Sequence, residues 1–270
     1  MIRLIATDLD ATLLGGNSEL TPRTVRAVRQ AMEAGARFVI ASGRMYETAR
    51  PFAEQLETNA PMIAFNGAMA CDWRTGAPLF TTDIPVEIAR GVCAMAEERG
   101  VFIQYFPERG LYYQKRVAAV CDEYEGRVRY HGTETVLPLS QWITRPPLKL
   151  LCLGERESLL ALREALNAAF PQLRVMFSQP TYLEIVTAGV DKGNALRAVA
   201  GQLGIPREEI AAFGDAGNDV GMLTYAAHGY AMANASEDVL ARVPLHAPAN
   251  TEDGVAQVLE ELLARGEIGG

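Results

Sequence analysis

Short runs of apolar, β-branched residues alternate with helical segments in the first and last parts of the chain. Residues 2–7, 37–41 and 61–65 are runs of this kind, and residues 210–213 and 229–233 continue the pattern. A continuous apolar run is typical of a strand buried on both faces, and helices between such strands carry the chain back across a parallel sheet. The alternation therefore predicts an α/β fold around a parallel sheet.

The middle of the chain has a different pattern. A helix at residues 85–99 is followed by strand-like runs at 101–106 and 111–114, and a helix at 155–169 by runs at 173–177 and 182–186. Helices followed by paired strands are typical of an α+β unit. We expect a core domain of residues 1–83 and 187–270, interrupted by an inserted domain of residues 84–186.

Composition excludes several classes of function. The 270 residues carry 25 Lys and Arg against 33 Asp and Glu, a net charge of -8, so nucleic acids and anionic membranes are not expected partners. Four widely spaced cysteines and three histidines disfavour a zinc site or a Ser-His triad. The apolar start is too short for a signal peptide and no run is long enough to cross a membrane, so we expect a cytoplasmic protein.

Acidic residues follow two of the predicted strands. Asp8 and Asp10 follow the first strand, and Asp215 and Asp219 follow the strand at 210–213. Ligands of open α/β folds bind at the carboxyl ends of the strands, where these carboxylates would repel each other unless a cation lay between them. Oxygen ligands favour Mg²⁺. Capping of a turn or a helix is the alternative interpretation, and four acids at two strand ends favour the cation site.

Two further segments could hold an anion. Ser42 follows the strand at 37–41, and Lys192 precedes a predicted helix. A hydroxyl with nearby backbone N–H groups suits a phosphate oxygen, and a lysine adds a positive charge. Either feature alone is common in loops and at helix starts. Together with Mg²⁺ they would make the acidic site attractive to a phosphoryl group.

These four segments resemble the motifs of the haloacid dehalogenase superfamily of phosphatases. The motif DxDGT corresponds to DLDAT at residues 8–12, the strand-end Ser or Thr to Ser42, the motif lysine to Lys192, and GDxxND to GDAGND at 214–219. The resemblance implies a Rossmann-like parallel sheet core. The residues between the second and third motifs resemble the α/β cap of the Cof-type subfamily, type IIB, which sets substrate specificity.

The resemblance also implies a mechanism. Asp8 would be the nucleophile that forms an aspartyl-phosphate, and Asp10 the acid and base for the leaving group and the water. The Asp8 and Asp215 carboxylates and the Asp10 main-chain carbonyl would hold Mg²⁺, while Ser42 and Lys192 would balance the charge of the phosphoryl oxygens. The expected substrate is a small phosphorylated metabolite, and a sugar phosphate is favoured by analogy.

Other residues near the motifs receive supporting roles by the same resemblance. Asp219 would orient the lysine or a water ligand. Further candidates for binding phosphate or substrate are Gly43, Arg44, Asn66 and Asn218. Five cap residues are candidates for contacting the leaving group and could equally belong to the core or the surface: Tyr105, Arg109, Tyr112, Tyr113 and Tyr182.

Ala11 departs from the family motif, which has Gly at this position. If the turn requires a positive φ, an alanine there is strained by roughly 1–2 kcal/mol, and if φ is negative it is harmless. The charged and hydroxyl groups of the motifs are all present, which favours an active enzyme.

Three alternatives remain open at the level of sequence. A phosphosugar mutase shares the chemistry but returns the phosphoryl group to a substrate. A phospho-accepting domain that resembles response-regulator receivers also combines acids, a hydroxyl and a lysine, but needs no insertion. A noncatalytic Mg²⁺-dependent binder is the least favoured, because the reactive side chains are all present.

Overall fold

The computed structural model describes residues 1–269. It divides into two compact units: the core unit, Met1–Gly43, Ala49–Phe80 and Asp191–Gly270, and the inserted unit, Arg44–Thr48 and Thr81–Val190. The predicted domain bounds, residues 1–83 with 187–270 for the core and residues 84–186 for the insertion, stay a prediction.

The strands within the described residues are, in chain order, β1 (Leu4–Thr7), β2 (Arg37–Ile40), β3 (Met62–Ala64), β4 (Met69–Cys71), β5 (Pro78–Thr81), β6 (Phe102–Phe106), β7 (Tyr112–Tyr113), β8 (Thr133–Glu134), β9 (Lys149–Leu153), β10 (Leu173–Gln179), β11 (Tyr182–Thr187), β12 (Ile210–Gly214), β13 (His228–Met232) and β14 (Leu245–Ala247).

The helices of the same residues are α1 (Pro22–Glu33), α2 (Tyr46–Leu56), α3 (Val86–Glu98), α4 (Ala118–Val128), α5 (Leu139–Trp142), α6 (Arg156–Ala169), α7 (Lys192–Leu203), α8 (Val220–Tyr225), α9 (Glu237–Arg242) and α10 (Gly254–Ala264). Single helical turns lie at Leu9–Leu13, Phe65–Gly67, Arg207–Glu209 and Asn250–Glu252.

The main sheet of the core unit is parallel, as predicted. Its order is β14-β13-β12-β1-β2, and β1 pairs in register with β12 on one side and β2 on the other. The last residue of β1, Thr7, lies opposite Phe213 and Ile40. The carboxyl ends of these three strands therefore meet at one edge of the sheet, and the residues that follow them are brought close together.

Helix boundaries in the core unit follow local chemistry. The Thr21 side chain accepts a hydrogen bond from the Thr24 N–H at the start of α1, and Pro22 takes the first helical position. Asp191 caps α7 in the same way by accepting from the Asn194 N–H at 2.8 Å. These caps satisfy N–H groups that have no partner within the helix, so α7 starts at Lys192.

Apolar faces of both sheet and helix form the core of the first unit. Leu4, Val39 and Ile210 from the strands are buried in one cluster with Leu196 and Val199 of α7. Each such side chain contributes about 1.5–3 kcal/mol when it is removed from water. The packing of α7 against the sheet thus fixes the position of the residues at its amino end.

The inserted unit contains a separate, mainly antiparallel sheet. Its order is β10-β11-β9-β6-β7-β8, with only the short β7–β8 pair parallel among the pairings of the described residues. Val92 of α3 and Leu159 and Leu162 of α6 pack on it with Ile103 and Leu150. The predicted fold class, a parallel-sheet core with an inserted α+β region, is confirmed.

Some elements were not predicted from the sequence. Helix α2 contains Pro51, which usually ends a helix, and α4 contains Gly126. Both helices form because tertiary packing outweighs weak local preference. In the part of the chain that the structure describes, no helix combines the length and apolar character needed to cross a membrane.

Candidate active site

The predicted site residues of the core unit follow the carboxyl ends of neighbouring strands. Asp8 comes directly after β1, Asp215 directly after β12, and Ser42 two residues after β2. The Asp8 N–H donates to the Phe213 carbonyl at 3.0 Å, and the Ala41 N–H donates to the Thr7 carbonyl at 2.8 Å. The sheet therefore continues one residue past β1 on both sides and holds these positions side by side.

Lys192 lies between two carboxylates. Its Nζ donates to Asp8 Oδ1 at 2.5 Å and to Asp219 Oδ1 at 2.6 Å, and the lysine is fully buried. The other oxygen of Asp219 accepts from the backbone N–H groups of Asp215 and Ala216, each at 3.0 Å. Asp219 thus contacts both the lysine and the turn after β12, and its supporting role in the reaction stays a prediction.

A glycine makes this arrangement possible. A Cβ at Gly214 would lie 2.5 Å from the Asp219 Cβ and 2.7 Å from its Cγ. Real Cβ atoms do not approach other carbons so closely, so only glycine permits Asp219 to turn back onto the strand end.

Three carboxylates are close enough to share a cation. Asp8, Asp215 and Asp219 each offer an oxygen atom, and these atoms lie within 4.8 Å of one another. Thr12 Oγ1 donates to Asp215 Oδ1 at 2.8 Å. Among the described residues nothing donates to Oδ2 of Asp8 or of Asp215, whereas both Asp219 oxygens are engaged. Asp8 and Asp215 therefore each keep an oxygen available to a cation, whereas Asp219 does not.

Asp10 lies outside this side-chain group. Its side chain is exposed, in the helical turn that follows β1. The sequence prediction assigns its main-chain carbonyl to the metal, and that assignment stays a prediction.

The electrostatics of the cluster are unbalanced towards negative charge. Burial raises the pKa of Asp8 well above its usual range, against the opposing charge of Lys192. Burial and the Asp219 charge raise the pKa of Asp215 to about 6. Burial alone would lower the pKa of Lys192, but the Asp219 and Asp8 charges outweigh it and raise that pKa. Three carboxylates with one ammonium are a favourable environment for a divalent cation.

A second group of predicted residues surrounds Asn66. The Asn66 N–H donates to the Ser42 carbonyl at 3.0 Å, and Asn66 Oδ1 accepts from Asn218 Nδ2 at 2.9 Å. A Cβ at Gly43 would lie 2.8 Å from that same oxygen. Ser42, Gly43, Asn66 and Asn218 are thus brought together, and Ser42 is buried.

Arg44 is not grouped with these residues. It belongs to the inserted unit, where its Nη1 donates to the Thr48 carbonyl at 3.3 Å. Its assignment to phosphate or substrate binding stays a prediction.

Ala11, which stands where the family motif has glycine, has a positive φ. Ala11 has φ 57° and ψ 13°, the left-handed region in which an alanine is strained by roughly 1–2 kcal/mol. Asn234 Nδ2 donates to the Ala11 carbonyl at 2.8 Å and helps to hold this conformation. The turn after the first strand therefore carries strain beside Asp10.

Two residues of the site were missed by the sequence reasoning. Thr12 belongs to the first motif, which gives it no role, and its hydroxyl donates to Asp215. Asn234 lies two residues after β13, at the same edge of the sheet, and its side chain contacts the turn at Ala11. A polar residue after every predicted parallel strand is the signal that could have found Asn234.

The chain is similar to known phosphatases over most of its length. The model of the haloacid dehalogenase-like hydrolase family matches residues 5–259. The HMP-PP phosphatase of Serratia proteamaculans is 31% identical over 249 residues, 90% of this chain and 88% of that protein. The pyridoxal phosphate phosphatase YbhA of Escherichia coli is 28% identical over 280 residues, 95% of this chain and 97% of that protein.

A solved structure is similar in three dimensions as well. The haloacid dehalogenase-like hydrolase from Bacteroides thetaiotaomicron superimposes with a TM-score of 0.90 at 28% identity. The match covers 97% of this chain and 100% of the other.

Proposed function

Because this chain belongs to the haloacid dehalogenase-like hydrolase family and is a phosphatase, we propose that it hydrolyses a small phosphorylated metabolite with Mg²⁺ and an aspartyl-phosphate at Asp8. The contact of Lys192 with both Asp8 and Asp219, next to Asp215, is the observation that carries the proposal. It supports the proposal because a carboxylate, the lysine ammonium group and a second acid lie together at one edge of the sheet.

The residues present fit a magnesium ion. Asp8 and Asp215 would hold it with hard carboxylate oxygens, the ligands that Mg²⁺ prefers. When bound, the ion supplies positive charge that stabilises the phosphoryl oxygens. The raised pKa of both acids is consistent with this role, since their ionised forms need an additional positive charge nearby.

The first step is an in-line displacement at phosphorus. An Asp8 carboxylate oxygen forms a bond to phosphorus while the bond from phosphorus to the leaving alkoxide breaks. Asp10, two residues further on, gives its proton to the leaving oxygen. Lys192 and the Ser42 hydroxyl donate hydrogen bonds to the phosphoryl oxygens, where negative charge is concentrated in the transition state.

The second step returns Asp8 to its starting state. The Asp10 carboxylate takes a proton from a water molecule as that water attacks phosphorus. The bond between phosphorus and Asp8 breaks, and inorganic phosphate leaves. Asp219 holds Lys192 in position in both steps without touching the substrate.

A small polar organic phosphate is proposed, with sugar phosphates favoured by the sequence resemblance. The two named relatives act on chemically different phosphates, pyridoxal phosphate and HMP-PP, so their compounds belong in the same test.

The test is a panel of phosphorylated metabolites assayed for inorganic phosphate with Mg²⁺. We expect Asp8→Asn to lower release by roughly 10³-fold or more, because the nucleophile is lost. Intact mass spectrometry of the wild type after a brief reaction should find one added phosphoryl group, absent from Asp8→Asn. Equal release by the two proteins would refute the nucleophile, and transfer to sugar without free phosphate would indicate a mutase.

Mg²⁺ binding has a readout that is independent of activity. At 100 times the dissociation constant, Mg²⁺ should stabilise the wild-type fold by about 2.7 kcal/mol. Asp215→Asn should lose most of this stabilisation in a thermal unfolding experiment. An equal shift in both proteins would place the ion elsewhere.

A further inference from the structure

The inserted unit contains a cavity with an aromatic floor. Its volume is about 520 Å³, within the usual range for small-molecule sites. Tyr105, Tyr112 and Trp142 line it. Their rings form a continuous cluster, with centroids 5.2 Å apart for Tyr112 and Trp142 and 6.0 Å apart for Tyr105 and each of the other two. Tyr112 and Trp142 are partly exposed and offer flat apolar surface to the body of a ligand, while Tyr105 is buried behind them and supports both rings.

The rim of the same cavity carries charges of both signs. Asp83 and Glu108 are exposed acids, and Arg145 is an exposed base. The pKa of Asp83 is raised by partial burial and, to a smaller extent, by the Glu108 charge, so the two acids act on each other. Another lining base, Arg109, is stacked 3.8 Å from the centre of the Tyr46 ring.

We propose that this cavity binds a small zwitterion of the amino acid class. The side chain of the ligand would pack on the Tyr112 and Trp142 rings, its ammonium group would contact Asp83 and Glu108, and its carboxylate would contact Arg145. None of these residues belongs to the catalytic or metal-binding set. The proposal therefore goes beyond the phosphatase site, and it gives the cavity-lining Tyr105, Arg109 and Tyr112 a place other than the leaving-group contact that the sequence predicted for them.

The combination of charges selects this class over simpler ones. A ligand with only a positive charge would find Asp83 and Glu108 but would also meet the two lining bases, Arg109 and Arg145. A ligand with only a negative charge would meet the two acids. A neutral apolar ligand would cover the rings and displace water from the charged groups at the rim. It would not replace the hydrogen bonds of that water, so binding would cost free energy. A zwitterion satisfies both signs and the aromatic floor.

Trp142 provides a direct readout. The chain has two tryptophans, and Trp73 is buried in the core unit with its indole N–H donating to the Thr58 carbonyl. In a Trp73→Phe variant all indole fluorescence comes from Trp142. Titration with L-phenylalanine should change that fluorescence saturably, while phenethylamine and 3-phenylpropanoate, each lacking one charge, should bind about tenfold more weakly.

Calorimetric titration of the unsubstituted protein repeats the measurement without the Trp73 change. Asp83→Asn with Glu108→Gln, and separately Arg145→Gln, should each weaken L-phenylalanine binding about tenfold. Glu164→Gln, an exposed acid on α6 away from the cavity lining, is the matched control and should leave binding unchanged. All three of these variant proteins should keep phosphate release from p-nitrophenyl phosphate.

Three outcomes would overturn the proposal. The first is the absence of saturable binding of L-phenylalanine up to about 10 mM by both methods. The second is equal affinity for the two analogues that lack a charge. The third is unchanged affinity in the rim variants. Loss of phosphatase activity in Asp8→Asn bears only on the catalytic proposal, so the two can fail separately.

Discussion

Both units bury a carboxylate in a network of hydrogen bonds, but the two networks have opposite charge balance. In the core unit, burial and neighbouring acids raise the pKa of Asp8. In the inserted unit, Glu125 is buried too, yet hydrogen bonds from the Gly132 N–H, His131, Tyr113 and Arg116 outweigh the effect of burial and lower its pKa to about 2.

The difference separates a carboxylate whose charge is fully paired from the carboxylate that we propose as the nucleophile. Glu125 accepts from Tyr113 and the Gly132 N–H on one oxygen and from Arg116 and His131 on the other, so its charge is fully compensated within the unit. Asp8 shares a single lysine with Asp219, and Asp215 lies beside them. The core cluster therefore needs additional positive charge, as a cation-dependent phosphoryl site does.

Removing the one cation of the core cluster should have the largest effect. Lys192→Met keeps the length of the side chain but leaves Asp8 and Asp219 without their shared partner. We expect phosphate release to fall by roughly 10³-fold and unfolding free energy to fall by about 3–5 kcal/mol. Steady-state assays with Mg²⁺ and chemical unfolding measure the two effects. If the turnover of Lys192→Met stayed within tenfold of wild type, the core cluster would not be the catalytic site.

The two units should also differ in how they tolerate a larger side chain at a helical glycine. A Cβ at Gly193, in α7 of the core unit, would lie 2.4 Å from the backbone carbonyl of Gly221, whereas a Cβ at Gly126, in α4 of the inserted unit, meets nothing within 4 Å. Gly193→Ala should therefore destabilise the protein by about 3 kcal/mol. Gly126→Ala should stabilise it by about 1 kcal/mol, because alanine favours helix.

Thermal and chemical unfolding of these two variants test the packing difference. Equal changes in both would mean that α7 can shift away from α8 without cost, and that the position of Lys192 is not fixed by this contact.

Glu125, the carboxylate whose charge is compensated, should contribute to the stability of the protein but not to its turnover. Glu125→Gln should lower the unfolding free energy by about 2 kcal/mol at neutral pH, because one buried acceptor loses its charge. Turnover per folded molecule should remain unchanged. A change in turnover above threefold would contradict the assignment of Glu125 to structure alone.

The contribution of Glu125 to the free energy of unfolding should depend on pH. The pKa of Glu125 is lowered from 4.5 to about 2 in the folded protein, so its stabilising contribution is complete above pH 4.5 and is lost as the pH falls towards 2. Chemical unfolding across this window should show a smaller loss of stability in Glu125→Gln than in the wild type. Parallel curves would refute the lowered pKa.

The smallest expected effect concerns backbone strain beside the core cluster. Ala11→Gly should raise the unfolding free energy by about 1 kcal/mol, because φ is 57° there. Ser18→Gly, at φ 59° in an exposed loop, is the matched control for the backbone effect alone. A hundredfold rise in turnover for Ala11→Gly alone would mean that the alanine impairs the natural enzyme.

Much of the fold could be predicted because local patterns and tertiary packing agree. The buried strands at β1, β2 and β12 were visible as apolar runs, and α1 as a helix with an N-cap and a proline. Helix α2 was missed because Pro51 is a poor helix residue and its helical conformation is maintained by packing. The predicted grouping of Asp8 with Asp215 relied on the rule that parallel strands end at one edge, and Lys192 was added to that group by the family resemblance.

The sequence by itself determined the order of strands and helices, and hence which residues follow the carboxyl ends of β1, β2 and β12. It also determined the excess of acids over bases among those residues. Only the tertiary structure decided that Lys192 contacts Asp8 and Asp219 together, that Thr12 contacts Asp215, and that Ala11 has a positive φ. Such contacts depend on packing between segments far apart in the chain, and local residue preferences carry no information about those distances.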